Sequence, residues 1–388
     1  MAVTLAECEW PLNEPPSVKR IPTEISCDLK ELAMASPYIS SVRISPDNET
    51  VLENLGLLAE LAGNWHGKGF NLIARPDKTG NANLFLELNQ TSETLKFDPI
   101  SSPIPNRGFV VDDIELFGLT YLQKISDTVT GGALHIEPGI WITLPKPSDP
   151  TQPQSVARMG TIPHGNALLA QGTARSVPLT GGTFQIPPVT TAPFPTFTPP
   201  LPAGGPLTPI PVAGTVSGFP EFDLTKPKSA TNPRTPFGNV PPIPLPPNID
   251  GVAMQTIIND PTRLLQQAIT GQFIESMVVL DIATQATLTF ASPTAGAPPV
   301  VRQVADGGGG IENIPFLQSN ADTALVFATF WIEKVRHAGG HFMQLQYAQT
   351  VMLNFPILIP ATPPPPGTPP VPFSWPHVSI ATLRKTFG

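Results

Sequence analysis

Charged residues are scarce in this chain, and basic residues are scarcer than acidic ones. Only 13% of the 388 residues are charged, and 22 Lys and Arg against 30 Asp and Glu give a formal net charge of −8. Proteins that bind nucleic acids need basic surface to displace counterions from phosphates, and the sequence shows no basic stripe. The composition therefore argues against nucleic acid as a partner.

Cysteine is nearly absent, since Cys8 and Cys27 are the only two. Two cysteines are too few for a disulfide framework or a structural zinc site, so we expect them to be free or incidental. No segment approaches the roughly 18 apolar residues that span a bilayer. The N-terminus also lacks the basic start and apolar core of a signal peptide. We therefore expect a soluble, cytoplasmic protein without a membrane span.

Several motifs that carry chemistry are missing as well. The sequence has no HExxH, CxxC or calcium-loop pattern, which gives little support to a dedicated metal-ion site. It also lacks the GxSxG turn of hydrolases and the GxGxxG loop that binds dinucleotides. A Cys-x-x-Cys-His motif for covalent heme attachment is absent too.

Proline, in contrast, is abundant, with 51 residues, and its distribution divides the chain. Residues 1–48 read as an irregular N-terminal extension, and residues 187–250 read as a proline-rich insertion that wraps round the main domain as a crossover. The segments 49–186 and 251–388 then form the two parts of one domain. A short helix over residues 260–269 begins the second part, with Asp260 as its N-cap.

The two parts of the domain consist mainly of strand-like segments with alternating polar and apolar residues, separated by turn signals. Consecutive antiparallel pairing is the simplest topology, and the last segment suits closure against the first. We predict an all-β fold, an antiparallel up-and-down β-barrel of about ten strands with short capping helices. The predicted strands cover residues 69–75, 84–97, 118–126, 133–144, 156–162, 167–174, 273–284, 286–290, 324–336, 340–355 and 377–385.

A glycine-rich stretch follows a leucine-rich helical segment, residues 51–61, that is expected to cap one end of the barrel. In an extended conformation Gly63, Trp65, Gly67 and Gly69 share one face, which is then bare backbone beside a single large ring. Glycine inside a strand indicates either a bent barrel corner, here filled by Trp65, or close approach of a bulky group to the backbone.

A second stretch places His135, Glu137 and Trp141 on one strand face, opposite a face rich in isoleucine. An imidazole and a carboxylate that face one cavity can handle protons, with the carboxylate holding the histidine tautomer. A solvent-facing polar edge is the alternative. His377 begins the last predicted strand, where a lone histidine is more often structural than a ligand.

Together these three stretches resemble the nitrobindins, a family of heme-binding β-barrels related in shape to the fatty-acid-binding proteins. Residues 63–69 are similar to the family's GxWxGxG motif, and residues 134–141 (LHIEPGIW) are similar to its LHxExGxW strand. Residues 377–385 resemble the strand that carries the axial histidine. The resemblance covers residues 50–175 and 270–388. It departs from the family at Phe70-Asn71-Leu72-Ile73, where a Tyr-Pro-Thr segment is usual, and in placing the histidine one residue further from Ala-Thr-Leu.

The resemblance implies a b-type heme with His377 as the iron ligand. Its pocket would be shaped by Gly63, Trp65, Gly67, Gly69 and Trp141. It further implies binding of nitric oxide, peroxynitrite or peroxide. If the protein is an enzyme, we expect peroxidase-like or peroxynitrite isomerase-like activity, with His135 and Glu137 as the catalytic pair.

Two other classes of function are compatible with the same residues. The first is a calycin-like, non-heme carrier of an apolar small molecule, which the low charge and a segment rich in Met and Phe, residues 342–347, would suit. The second is a scaffold that uses its proline-rich surface. The sequence leaves the oligomeric state open, a homo-oligomer included.

Overall fold

A computed structural model gives the architecture of the chain within one compact unit, Ser45–Gly388. The structure describes residues 48–76, 84–106, 113–144, 153–162, 166–189, 196–197, 246–284, 287–290, 300–303, 323–357 and 371–386. Cys8, Cys27 and most of the predicted proline-rich insertion lie outside these residues.

Strands account for most of the described chain, and its helices are short. The helices are α1 (Asn48–Leu55), a 3-10 helix (Gly56–Leu61), α2 (Met254–Asn259) and α3 (Thr262–Ala268), so the helix predicted over residues 260–269 is confirmed. Among the described residues, none of these helices has the length and apolar character needed to cross a bilayer. The strands are β1 (Gly63–Pro76), β2 (Leu84–Pro99), β3 (Ile104–Asn106), β4 (Ile114–Asp127), β5 (Ala133–Thr143), β6 (Gln154–Ile162), β7 (Asn166–Pro178), β8 (Thr196–Phe197), β9 (Asn248–Ile249), β10 (Val252–Ala253), β11 (Phe273–Ala283), β12 (Thr287–Phe290), β13 (Val300–Gln303), β14 (Leu325–His337), β15 (Gly340–Ile357) and β16 (Val371–Thr386).

Ten of these strands form a closed antiparallel barrel, as the alternating pattern predicts. Their order is β1-β2-β4-β5-β6-β7-β11-β14-β15-β16, and β16 pairs with β1 from Asn64↔Thr386 to Ile73↔His377. Strand β3 pairs with the beginning of β4, the two-residue strand β8 pairs with β16, and β9–β10 and β12–β13 form separate two-stranded sheets. Closure between the first and last strands leaves no unpaired barrel edge.

The α1 and 3-10 helices close one end of the barrel, which we call the plug end. Gly56 has a φ of 54°, which breaks the α-helix and turns the chain into the 3-10 segment. Leu55, Leu58 and Leu61 are fully buried in the same cluster as the barrel interior. Gln154 ties the helices to the wall, since its side chain accepts from Leu57 N at 2.9 Å and donates to Leu55 O at 2.9 Å.

A second apolar layer covers part of the outer wall of the barrel. Helices α2 and α3 pack their buried side chains, such as Ile257 and Leu265, against outward residues of β1, β11, β14, β15 and β16. This layer explains why Phe70 and Trp331, which point away from the barrel interior, are nevertheless buried. The barrel therefore has two cores, one inside it and one between its wall and the helices.

Candidate functional site

The interior of the barrel is apolar at the plug end and polar in its middle. Trp65 is fully buried at the plug end, where its Nε1–H donates to Leu61 O at 2.7 Å. Trp141 lies deeper in the interior, with its ring packed edge-on against Phe330 at 5.2 Å. Both predicted tryptophans therefore face the interior, as strand alternation indicates, and both belong to its packed core.

The glycines of β1 allow the neighbouring strand to approach closely. A Cβ atom on Gly67 would lie 2.1 Å from Thr382 O, and one on Gly69 would lie 2.2 Å from Ile380 O. Gly63 begins the strand with a φ of 116°, a conformation that other residues rarely adopt. The bare face of β1 is thus covered by the backbone of β16. The interpretation as a barrel corner accounts for these glycines without a ligand.

A buried ion pair forms the centre of the polar interior. The Arg158 guanidinium donates to Glu137 Oε1 at 2.7 Å and to Gln349 Oε1 at 2.6 Å. Tyr121 donates its hydroxyl to Glu137 Oε1 and accepts from Arg158 Nε at 3.0 Å. Burial alone would raise the pKa of Glu137, but Arg158 and the hydrogen bonds from His135 and Tyr121 lower it to about 2. Glu137 is therefore a carboxylate across the ordinary pH range.

His135 completes this cluster on the side away from the plug. Its Nε2 lies 3.1 Å from Glu137 Oε2, and the imidazole side chain is 10% exposed. Because the ionised carboxylate can only accept, His135 Nε2 carries a proton, and this hydrogen bond fixes the tautomer of the neutral imidazole. The predicted pairing of His135 with Glu137 is present, with Arg158 as a third member that the sequence interpretation omitted.

A second buried carboxyl lies across the interior. Tyr347 donates its hydroxyl to Glu93 Oε2 at 2.6 Å, and Gln123 Nε2 donates to the same oxygen at 3.3 Å. Burial raises the pKa of Glu93 to about 7, although these hydrogen bonds lower it in part. The interior thus holds one permanently ionised carboxylate and one carboxyl that exchanges its proton near neutral pH, a contrast typical of acid–base sites.

A small cavity lies beside both carboxyl clusters, and we call it the interior cavity. Its volume is about 20 Å³, which is enough for one water molecule. By itself it accommodates neither a porphyrin nor an apolar ligand. The lining combines two histidines, two amides and a hydroxyl with apolar side chains: Gln123, Ile125, His135, Ile162, Gln349, Val351, Leu353, His377 and Ser379.

The structure brings His377 together with His135 but separates it from Trp65. In the barrel register His377 pairs with Ile73, whereas Trp65 pairs with Lys385 at the plug end. Eight residues of extended chain correspond to about 26 Å along the strand. The predicted cofactor set therefore divides in two: His377 lies at the interior cavity, and Gly63, Trp65, Gly67 and Gly69 lie towards the plug. Trp141 packs between them beside Arg158, whose guanidinium carbon is 5.9 Å from its ring.

Asn71 is a polar residue of the interior whose hydrogen bonds are incomplete. It is 1% exposed, pairs with Ser379 across the strand, and faces inward by alternation with Gly69. Neither its Oδ1 nor its Nδ2 has a hydrogen-bond partner among the residues that the structure describes. A buried unsatisfied polar group costs about 1–3 kcal/mol, so this amide indicates a place for a polar ligand or a water.

Sequence reasoning missed Glu93, Tyr121, Arg158 and Tyr347. The sequence did contain a signal for two of these charged residues. Glu93 and Arg158 each share a strand face with apolar residues, such as Leu95 and Val156. A charged residue on an apolar strand face is either buried with an oppositely charged partner, or the face has been assigned wrongly. No local pattern reveals which distant strand supplies the partner.

Comparison with known proteins adds little to this description. No protein-family model matches the chain, and no curated protein matches it. Among solved structures, the crystal structure of Rv2717c from M. tuberculosis is similar over 86% of this chain and 98% of that chain, with 11% identity and a TM-score of 0.29. A likeness this weak carries no inference about function.

Proposed function

We propose that the chain binds a b-type heme through His377 and presents its open iron position to nitric oxide or a peroxide. The observation that supports this most is the position of His377. It lies on the last barrel strand and lines the interior cavity together with His135. An imidazole is a common axial ligand of heme iron.

The residues present fit the heme in donor chemistry, while the interior cavity does not fit the ring. His377 offers the nitrogen donor. Its strand partner is Ile73, and the unsatisfied amide of Asn71, two residues before Ile73, offers a polar contact. The cavity of about 20 Å³ is too small for a macrocycle. The proposal therefore assigns the iron ligand among the described residues and requires this cavity to widen when the heme binds.

The chain's own residues supply proton handling. A heme held by one histidine provides an iron that can bind a diatomic molecule or a peroxide. His135 lines the cavity with its Nε2–H fixed on Glu137, and its imidazole is the group that would take up a proton from a ligand in the cavity. Arg158 keeps Glu137 ionised, and this charge stabilises the imidazolium that results. Glu137 acts here as the orienting carboxylate and not as the proton donor.

Titration of the purified protein with hemin tests the proposal. We expect a saturable Soret band at one heme per chain, and a further band shift when nitric oxide is added. His377→Ala should abolish the saturable band because the imidazole donor is gone. His341→Ala is the matched control, since His341 is exposed, bonded to Glu275 at 2.6 Å, and ten residues along β15 from Val351, the strand partner of His377. Equal heme affinity in His377→Ala and the native protein would reject the proposal.

A further inference from the structure

A group of exposed cations lies on the outer wall of the barrel, and we call it the basic face. It consists of His66, Lys68, Lys124 and Arg384, all exposed. The register places three of them in one cross-strand row, in which Arg384 pairs with His66, His66 with Thr94, and Thr94 with Lys124. Neighbouring strands are about 4.8 Å apart, so this row extends over roughly 14 Å of the wall.

The cations of the basic face are not neutralised by the described part of the chain. Lys96, beside the row, pairs with Asp98 at 2.8 Å, but none of the four forms an ion pair with a described residue. In a chain with net charge −8, such a cluster produces a local field opposite in sign to that of the whole molecule.

The basic face also carries groups that recognise anions by hydrogen bonding. Hydroxyl side chains occupy the positions between the cations, with Thr382 and Ser92 on either side of Lys68 and Thr94 beside His66. The Arg384 guanidinium carbon lies 4.3 Å from the centre of the Phe342 ring, which holds this long side chain against the wall. Less side-chain entropy is then lost when an anion binds.

A groove runs along the edge of the basic face. It has a volume of about 220 Å³ and lies between the barrel wall and the segment formed by α3 and the β9–β10 hairpin. Lys68 and Thr382 line one side, Leu264 and Ile249 line the other, and Asp250 contributes a carboxylate from the hairpin turn. The groove thus combines apolar side chains with a cation that belongs to the basic face.

We propose that the basic face and this groove dock an acidic polypeptide segment, with carboxylates on the cations and an apolar side chain in the groove. Charge complementarity supports an anionic partner. A long nucleic acid is less suitable, since the row neutralises few phosphates and the molecule as a whole is acidic. A flat bilayer is less suited to a groove lined on one side by the wall and on the other by α3. This docking surface is independent of the heme proposal.

Fluorescence anisotropy with a labelled synthetic peptide tests the inference. The probe is a twelve-residue glutamate-rich peptide with one central phenylalanine, at low ionic strength. We expect saturable binding that weakens about tenfold in Lys68→Glu and in Lys124→Glu, because each reversal places a like charge against the peptide. Replacing the phenylalanine by serine should also weaken binding, and added salt should reduce it.

Lys334→Glu is the matched control, since it makes the same change in net charge at an exposed lysine beside Glu275, on the strand face of Ile332 and not on the outward face that carries the basic face. Unchanged affinity in this variant supports a local surface, and a loss equal to that of Lys68→Glu overturns it. Tighter binding of a single-stranded oligonucleotide, or of vesicles with phosphatidylserine, would also overturn the assignment to a peptide. Circular dichroism of each variant checks that the barrel is intact.

Discussion

Arg158 is the residue on which the charge balance of the barrel interior depends. It is 3% exposed, and it neutralises Glu137 while bonding Tyr121 and Gln349. Three aromatic rings surround its guanidinium, with ring centres 5.1, 5.5 and 5.9 Å from the guanidinium carbon. One cation therefore links four strands, and it also fixes the carboxylate that orients His135.

Replacing Arg158 by methionine should destabilise the protein by about 3–5 kcal/mol at neutral pH, because a buried carboxylate loses its cation. In the native protein the Glu137 pKa is about 2, below its usual 4.5, so Glu137 contributes stability that is lost only as pH falls towards 2. In the Arg158→Met variant, burial raises the pKa of Glu137, so the loss of unfolding free energy should shrink as pH falls towards 4. Urea unfolding at several pH values measures it.

The double variant Arg158→Met with Glu137→Gln is the control for this interpretation. It removes both charges, so much of the stability lost in the single variant should return. A double variant as unstable as the single one, or a loss independent of pH, would show that packing and not charge is responsible.

At the scale of single residues, the sequence predicts which side chains share a strand face better than it predicts which distant side chains they contact. Alternation placed His135, Glu137 and Trp141 on one strand face but left open whether that face meets a cavity or solvent, and in the structure it meets the interior. It did not predict that Arg158 joins Glu137, since that contact depends on which strands become neighbours. The grouping of Trp65 with His377 ignored the distance along the strands, which only the register with β16 reveals.

At the scale of elements, the pairing of β1 with β16 shows how backbone proximity dictates side chains. The two strands run together for ten residue pairs, and the glycines of β1 meet carbonyl oxygens of β16. Strand propensity alone disfavours glycine here, so the sequence signalled a special backbone but not its cause. The proximity of β16 is a long-range property, and no local window contains it.

Gly67→Ala tests this account of the strand pair. The new methyl group would lie 2.1 Å from Thr382 O and 2.7 Å from the Leu383 Cα, so the two strands would have to move apart. We expect a loss of about 1–3 kcal/mol in unfolding free energy. Gly340→Ala is the control, because no atom lies within 4 Å of the added methyl group. Equal stability of the two variants would contradict the close-approach explanation.

At the scale of the whole molecule, the closed barrel follows from patterns that the sequence displays openly. Consecutive alternating strands with turn signals predict an up-and-down order, and the observed path departs from chain order only where β3, β8–β10 and β12–β13 are skipped. The outer apolar layer was not predicted, because outward residues such as Trp331 are buried by helices and by residues 184–189, all remote in sequence. Burial on both faces of a strand removes the alternation by which an outward face is recognised.

The pH dependence of stability is a property of the molecule as a whole. Burial raises the pKa of Glu93 to about 7 and that of Glu333 to about 8, from 4.5. The folded state then holds more protons than the unfolded chain above pH 4.5, so stability should fall as pH rises from about 5 to 8. In Glu333→Gln the decrease in stability with rising pH should be smaller, and unfolding at pH 5, 7 and 8.5 measures it. Glu49→Gln is the control, since Glu49 is an exposed helix residue, and it should leave the decrease unchanged. An unchanged slope in Glu333→Gln would contradict the assignment.

The junction of the first and last strands also bears on how the protein is synthesised. Asn64 and Thr386 meet across it although they are 322 residues apart. At ribosomal rates of about 5–20 residues per second, β1 emerges roughly 16–64 s before the strand that covers its open edge. Throughout that interval the nascent chain presents an unpaired strand to its neighbours, and an incomplete polypeptide cannot close the ring. Emergence of β16 is thus the step that protects β1 from intermolecular pairing.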